Sequence, residues 1–222
     1  MFHPNETPLE RGWVGRVDGE RVVHLAAQTL QSFFTGGASA REHAEYPLGG
    51  VTLLAPVVYP PSVRVFEHEE RFAFANPAAV VGPGVAVSAP AQHLGATGRV
   101  AAVVGAGGAI GGFTACLEWR APELPSPKDA DFGLVTGPVV VTPDELTPAG
   151  LETAITADRT EAAGTTPPFD WERAASFAAA GTVLRAGDLL VGPPAVEHEQ
   201  SSGAGVTLTI DGIGSLACPL AP

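Results

Sequence analysis

Residues 67–70 read Glu-His-Glu-Glu. An imidazole among carboxylates is a candidate general base, because neighbouring negative charge favours its protonated form and raises its pKa. His68 and Glu70 are therefore one candidate catalytic pair, and a solvated acidic turn is the alternative. Lys128 and Asp131, in the run Lys-Asp-Ala-Asp-Phe, bring a cation and a carboxylate within three residues, with a solvated loop as the alternative. His198, between Glu197 and Glu199, reads as part of an exposed polar loop. The glycine run at 103–112 (VVGAGGAIGG) follows a strand pattern, as a dinucleotide-binding turn does. It carries Ile110 where the third glycine belongs, lies in mid-chain, and has no Tyr-x-x-x-Lys pair beside it, since the tyrosines are Tyr46 and Tyr59. A shortened glycine loop accounts for it better than nucleotide binding does.

The elements that must position these residues are short. Gly (27) and Pro (21) interrupt helices, so many strands joined by turns fit the 222 residues best. Residues 12–25 predict a hairpin around Asp18-Gly19, 26–35 a short helix, and 37–49 a loop. Strands are expected at 98–105, 134–142, 183–191 and 205–216, and a helix at 170–180 with Asp170 as its N-cap. An apolar share of 45% provides for a packed core. A net charge of −12 repels phosphate backbones and anionic lipid, which disfavours nucleic-acid and membrane partners. Met1–Arg11 lacks the apolar core of a secretory signal, and Cys116 and Cys218 make no disulfide framework. Together these features predict a cytoplasmic protein.

Six runs stand in the order of the motifs of one family: PPSVRVFEHEE (60–70), FAFANPAAVVGPGVAVSAP (72–90), GGFTACLEWRAPE (111–123), KDADFGLVTGPVVVTPDEL (128–146), LRAGDLLVGPP (184–194) and TIDGIGSL (209–216). From about Val51 to the C-terminus the chain resembles the fumarylacetoacetate hydrolase family. The resemblance implies an α+β, β-rich fold with a rolled β core (51–222) behind a small N-terminal lobe of hairpin and short helix (1–50). It also implies a homodimer, and chemistry on small oxo acids or β-diketones: C–C bond hydrolysis, decarboxylation or a related rearrangement. In that family carboxylates hold Mg²⁺ or Mn²⁺ as a Lewis acid, a histidine activates water and a lysine adds positive charge. Here His68 and Lys128 would take the last two roles.

Residue by residue the metal site departs from the pattern. The family's Glu-x-Glu positions are Thr97 and Arg99, neither competent as an anionic ligand. Glu118 stands for an aspartate and is a weak ligand by itself. Ala130 occupies the lysine position, with Lys128 offset by two, and Pro193 replaces a threonine hydroxyl. Two negative charges are lost and one positive charge gained, so Mg²⁺ or Mn²⁺ is expected to bind weakly or not at all. Arg99 is expected either to swing outward or to pair with Glu118, in which case it could hold a substrate carboxylate together with Asp131. Two functions follow as alternatives: an enzyme of this family with altered metal dependence, or a non-catalytic relative that binds a small molecule or serves assembly.

Overall fold

Between Leu94 and Leu117 nearly every side chain is apolar or small, without the alternation of a sheet that faces water on one side. Such a run suits strands covered on both faces. In a computed structural model, which describes residues 1–158, 160–201 and 205–221, this stretch forms the two long central strands. In chain order the strands are β1 (Phe2–Pro4), β2 (Gly15–Asp18), β3 (Arg21–Leu25), β4 (Glu42–Pro47), β5 (Val51–Leu53), β6 (Val63–His68), β7 (Arg71–Ala75), β8 (Val80–Val81), β9 (Val87–Ser88) and β10 (His93–Val104). They continue with β11 (Ile110–Arg120), β12 (Leu134–Val141), β13 (Glu152–Ala157), β14 (Thr160–Thr165), β15 (Leu189–Val191), β16 (Val196–Ser201), β17 (Val206–Ile210), β18 (Gly214–Cys218) and β19 (Leu220–Ala221). The α-helices are α1 (Leu30–Thr35) and α2 (Trp171–Ala179).

The central sheet runs β7-β6-β15-β10-β11-β12-β8, and β16 also pairs with the N-terminal half of β10. Most of its pairings are antiparallel; β6 with β15 and β8 with β12 are parallel. One face packs Phe66, Leu117, Trp119 and Leu190 against α2 and a second sheet, β14-β13-β17-β18. The other face carries Val63, Ala101, Val103, Cys116 and Leu189, with Phe34 of α1 upon them. The fold is thus the β-rich, rolled-sheet class that the motif order implied. The glycine run closes the antiparallel β10–β11 hairpin through a single 3-10 turn at Ala106–Gly108. A dinucleotide turn opens a helix inside a βαβ unit; this one leads straight into a returning strand, so the nucleotide-binding geometry is absent there.

Several local expectations need correction. Residues 42–47 form β4 rather than loop, paired with β3. The run EHAEYP has no apolar alternation because five of its six residues are exposed. Arg185–Asp188 is a turn, so the expected strand at 183–191 shortens to β15. The expected strand at 205–216 is two, β17 and β18, joined by a turn after Ile210. His198 lies on β16 rather than in a loop, opposite Ala96. A polar strand shows no periodicity when its backbone bonds, and not its side chains, hold it in place. The helix at 171–179 has the anticipated cap: the Asp170 side chain accepts from the Arg173 backbone N–H at 2.9 Å. β1 pairs with β5 across residue 50, so the first residues of the chain are stitched to the start of the larger part.

Candidate functional site

β10 and β11 pair in a register that sets Thr97 opposite Glu118 and Arg99 opposite Cys116. Directly paired residues share a sheet face, as do residues two apart along a strand. Thr97, Arg99, Glu118 and Arg120 therefore stand on one face, continuous with Ala101, Val103 and Cys116. Thr97, Arg99 and Glu118 are 6%, 7% and 4% exposed, so these charges sit in protein rather than in water.

Arg99 pairs with Glu118. Its Nε donates to Glu118 Oε2 at 3.0 Å, and its Nη2 lies 2.9 Å from the same oxygen. Its Nη1 donates to the Gly192 carbonyl at 2.9 Å. That carbonyl can approach because position 192 has no side chain: a Cβ there would lie 2.8 Å from the Trp171 ring. The second oxygen of Glu118 accepts from Arg120 Nη2 at 3.1 Å, and Arg120 Nη1 reaches Asp129 Oδ2 at 3.5 Å. The centre is thus an Arg–Glu–Arg–Asp chain with both Glu118 oxygens engaged. Cys116 lies beside it; burial, reinforced by the Glu118 charge, pushes its thiol pKa well up, so it is held as a thiol.

The other candidate residues are not gathered here. His68 ends β6 at an exposed hairpin turn, where its Nδ1 accepts the Glu70 backbone N–H at 3.3 Å. Glu70 binds Arg173 of α2, with Oε1 2.9 Å from Nη2, and Glu69 accepts the Asp170 backbone N–H at 3.2 Å. The acidic turn therefore clamps the N-terminus of α2. Where the family pattern has a histidine in a helix-like turn, this chain has a tight β-hairpin. Lys128 is exposed and bonds Asp131 Oδ2 at 2.8 Å. The Asp131 backbone carbonyl accepts from Asn76 Nδ2 at 3.0 Å. Their loop reaches the centre through Asp129.

Arg120, Asp129 and the Gly192 carbonyl were not anticipated. Arg120 had a visible signal, since two residues beyond Glu118 on a strand means the same face. Asp129 and Gly192 had none, because a loop and a distant turn supply them. Among the described residues no group of three His, Cys, Asp or Glu side chains is placed to hold a metal ion.

No family model matches the chain, and no curated protein matches it. Solved structures do. Maleylpyruvate hydrolase from Sphingobium sp. SYK-6 superposes with a TM-score of 0.80 at 19% identity, covering 95% of this chain and 96% of that one. This is the fumarylacetoacetate hydrolase fold. A 2-keto-3-deoxy-D-arabinonate dehydratase, complexed with magnesium and 2,5-dioxopentanoate, shares that fold at TM-score 0.80 and 18% identity, with 96% of each chain covered. So does 2-hydroxyhepta-2,4-diene-1,7-dioate isomerase from Mycobacterium marinum, at 0.76 and 22%, with 94% of this chain and 92% of that chain covered. The hydrolase is also known in complex with manganese(II) and pyruvate. The chain therefore covers more than nine-tenths of the length of a hydrolase, a dehydratase and an isomerase that share this fold.

Proposed function

We propose that this protein is a non-catalytic relative of these oxo-acid enzymes, one that does not work through a divalent metal and serves binding and assembly. The observation that carries this reading is the state of Glu118. A hard cation needs several oxygen ligands, mostly anionic. Glu118 is the one carboxylate at the family's three positions, both its oxygens are held by guanidinium groups, and a permanent cation stands beside it. The residues present do not fit Mg²⁺ or Mn²⁺, so no reaction step is drawn through either ion. The groups that would activate water or add positive charge, His68, Glu70 and Lys128, are exposed, and among the described residues they bond partners other than Glu118. Residues 1–50 as a lobe on the 51–222 domain, a homodimer and a cytoplasmic location belong to the same proposal.

A second reading has one observation in its favour. Arg99 carries five N–H groups: among the described residues Nε–H and one on Nη1 donate hydrogen bonds, and one on Nη2 faces Glu118 in an ion-pair contact. The remaining two would suit the carboxylate of a small oxo acid, with Arg99 as the anion-binding group of an enzyme that hydrolyses, decarboxylates or rearranges it.

Calorimetric titration with Mn²⁺, followed by a turnover assay on a panel of small oxo acids, separates the two. We expect no Mn²⁺ binding at micromolar concentration and no turnover. The double change Thr97→Glu with Arg99→Glu should create measurable Mn²⁺ affinity. Micromolar Mn²⁺ binding by the natural protein, untightened by the double change, would show that these two positions are not the metal positions. Turnover without added metal would establish the second reading.

A further inference from the structure

β4 carries an extra residue against β3. Between the pairs Leu25–Glu42 and Val23–Glu45, His24 stands opposite two residues, His43 and Ala44. Such a bulge bends the strand and re-aims a side chain. Under strict alternation His43 would share the face of Glu45 and Val23, and His24 would lie on the other. The bulge brings His43 round to His24 instead. Their ring centroids are 5.2 Å apart, with the planes at 32°. His24 also stacks on Trp13 at 4.6 Å and 18°. A flat stack covers a ring face and leaves the ring edge, with its nitrogens, clear of the indole. His24 is half-buried and His43 exposed, so solvent reaches both.

Nothing nearby uses these nitrogens. Among the described residues the histidine side-chain bonds belong to His3, His68 and His93. The carboxylates of β4 are spent on the opposite face, where Glu42 pairs with Arg16 at 2.9 Å and Glu45 with Arg21 at 2.7 Å. Burial, then the charge of His43, holds the His24 pKa below the usual 6.5, which keeps its imidazole neutral at pH 7. Neutral imidazole is a metal ligand and selects zinc-type ions over magnesium and manganese. Two imidazoles on one tetrahedral zinc ion, with Zn–N bonds of about 2.0–2.1 Å and ring centres about 1.2 Å beyond the nitrogens, have centres roughly 5.1–5.4 Å apart. The His24–His43 separation falls in that range.

We propose that His24 and His43 together bind one zinc ion, whose remaining positions hold water, and so clip β3 to β4. Two protein ligands leave the site open and hold the ion less tightly than a closed four-ligand site. His43, being exposed, turns its ring to the ion without disturbing a packed neighbour. The inference stands on the β4 bulge and the two rings, and does not depend on the reading of Glu118, which concerns hard cations.

The test is calorimetric titration of the full chain with Zn²⁺ at pH 7.5. One ion per chain is expected to bind at micromolar concentration. His24→Phe, which keeps a flat ring on Trp13, and His43→Ala should each weaken binding by about tenfold or more. His198→Ala, which alters a histidine on β16, should leave it unchanged. Because the ion binds the folded chain, Zn²⁺ should also raise the melting temperature of the natural protein and not of His24→Phe or His43→Ala. Melting without zinc checks that all three variants fold. No saturable binding at micromolar Zn²⁺, natural affinity in either His24→Phe or His43→Ala, or an equal loss in His198→Ala would overturn the proposal.

Discussion

Two buried arginines of the central sheet are neutralised in different ways. Arg99 meets Glu118 directly: its Nε donates to Glu118 and its Nη1 to the Gly192 carbonyl, and its Nη2 stands in ion-pair contact with Glu118. Arg64, on β6, is 5% exposed and stands 3.8 Å from Asp188. It reaches that carboxylate through a hydroxyl: Arg64 donates to Ser62 Oγ, and Ser62 donates to Asp188 Oδ1 at 2.6 Å. Its Nε has no partner among the described residues, and its guanidinium carbon lies 5.7 and 5.3 Å from the ring centroids of Phe72 and Phe74. Asp188 also accepts the Arg185 backbone N–H at 2.7 Å, which fixes the turn into β15. The Arg64 centre ties a turn to a neighbouring strand and is left partly unsatisfied. In the Arg99 centre both oxygens of Glu118 face guanidinium groups. Pairing of this kind engages both carboxylate oxygens and ties β10 to β11.

The largest effect should come from opening the closed pair. Glu118→Ala leaves Arg99 buried without its anion and should destabilise the fold by about 3–5 kcal/mol, read by urea denaturation. Removing both partners asks a different question. Arg99→Met with Glu118→Leu should be neutral or stabilise by up to about 4 kcal/mol, since the desolvation cost of the pair disappears with it. If the double variant is instead as unstable as the single one, the pair contributes more than it costs, and the centre is a structural keystone. At the other arginine, Ser62→Ala breaks the hydroxyl relay and should cost about 1–3 kcal/mol. A loss as large as that of Glu118→Ala would make the two centres equivalent and erase the contrast.

The smallest effect lies outside both centres. His24 stacks on Trp13, with ring centroids 4.6 Å apart, and neighbours His43 at 5.2 Å. Burial first, and then the charge of His43, lower its pKa below the usual 6.5. The folded state therefore binds this proton less readily than the unfolded chain does. The stability His24 contributes is present above pH 6.5 and is lost as pH falls below it through the lowered value. His24→Phe should flatten the pH dependence of the melting temperature in that window, while Glu118→Ala should leave it unchanged.

Much of the frame was legible because it follows local rules. Asp170 caps its helix through its own side chain, Gly19 and its neighbours turn a hairpin, and the two-sided apolar run of β10 marks a central strand. The unexpected elements, β4 and β16, are polar strands held by backbone pairing, and side-chain pattern says little about such pairing. At the site, the absence of carboxylates at Thr97 and Arg99 was legible, and pairing of Arg99 with Glu118 was one of two outcomes left open. His68 and Glu70 were read as a pair from their adjacency. In the structure Glu70 instead reaches α2, a hundred residues on in sequence.

The sequence by itself determined the charges at positions 97, 99 and 118, because residue identity settles which positions carry carboxylates. It determined the order of the strands that bear them through the order of the motifs. Only the tertiary structure decided where those charges go. Arg99 turns inward because the register of β10 on β11 brings Glu118 within reach and a side-chain-free Gly192 lends a carbonyl.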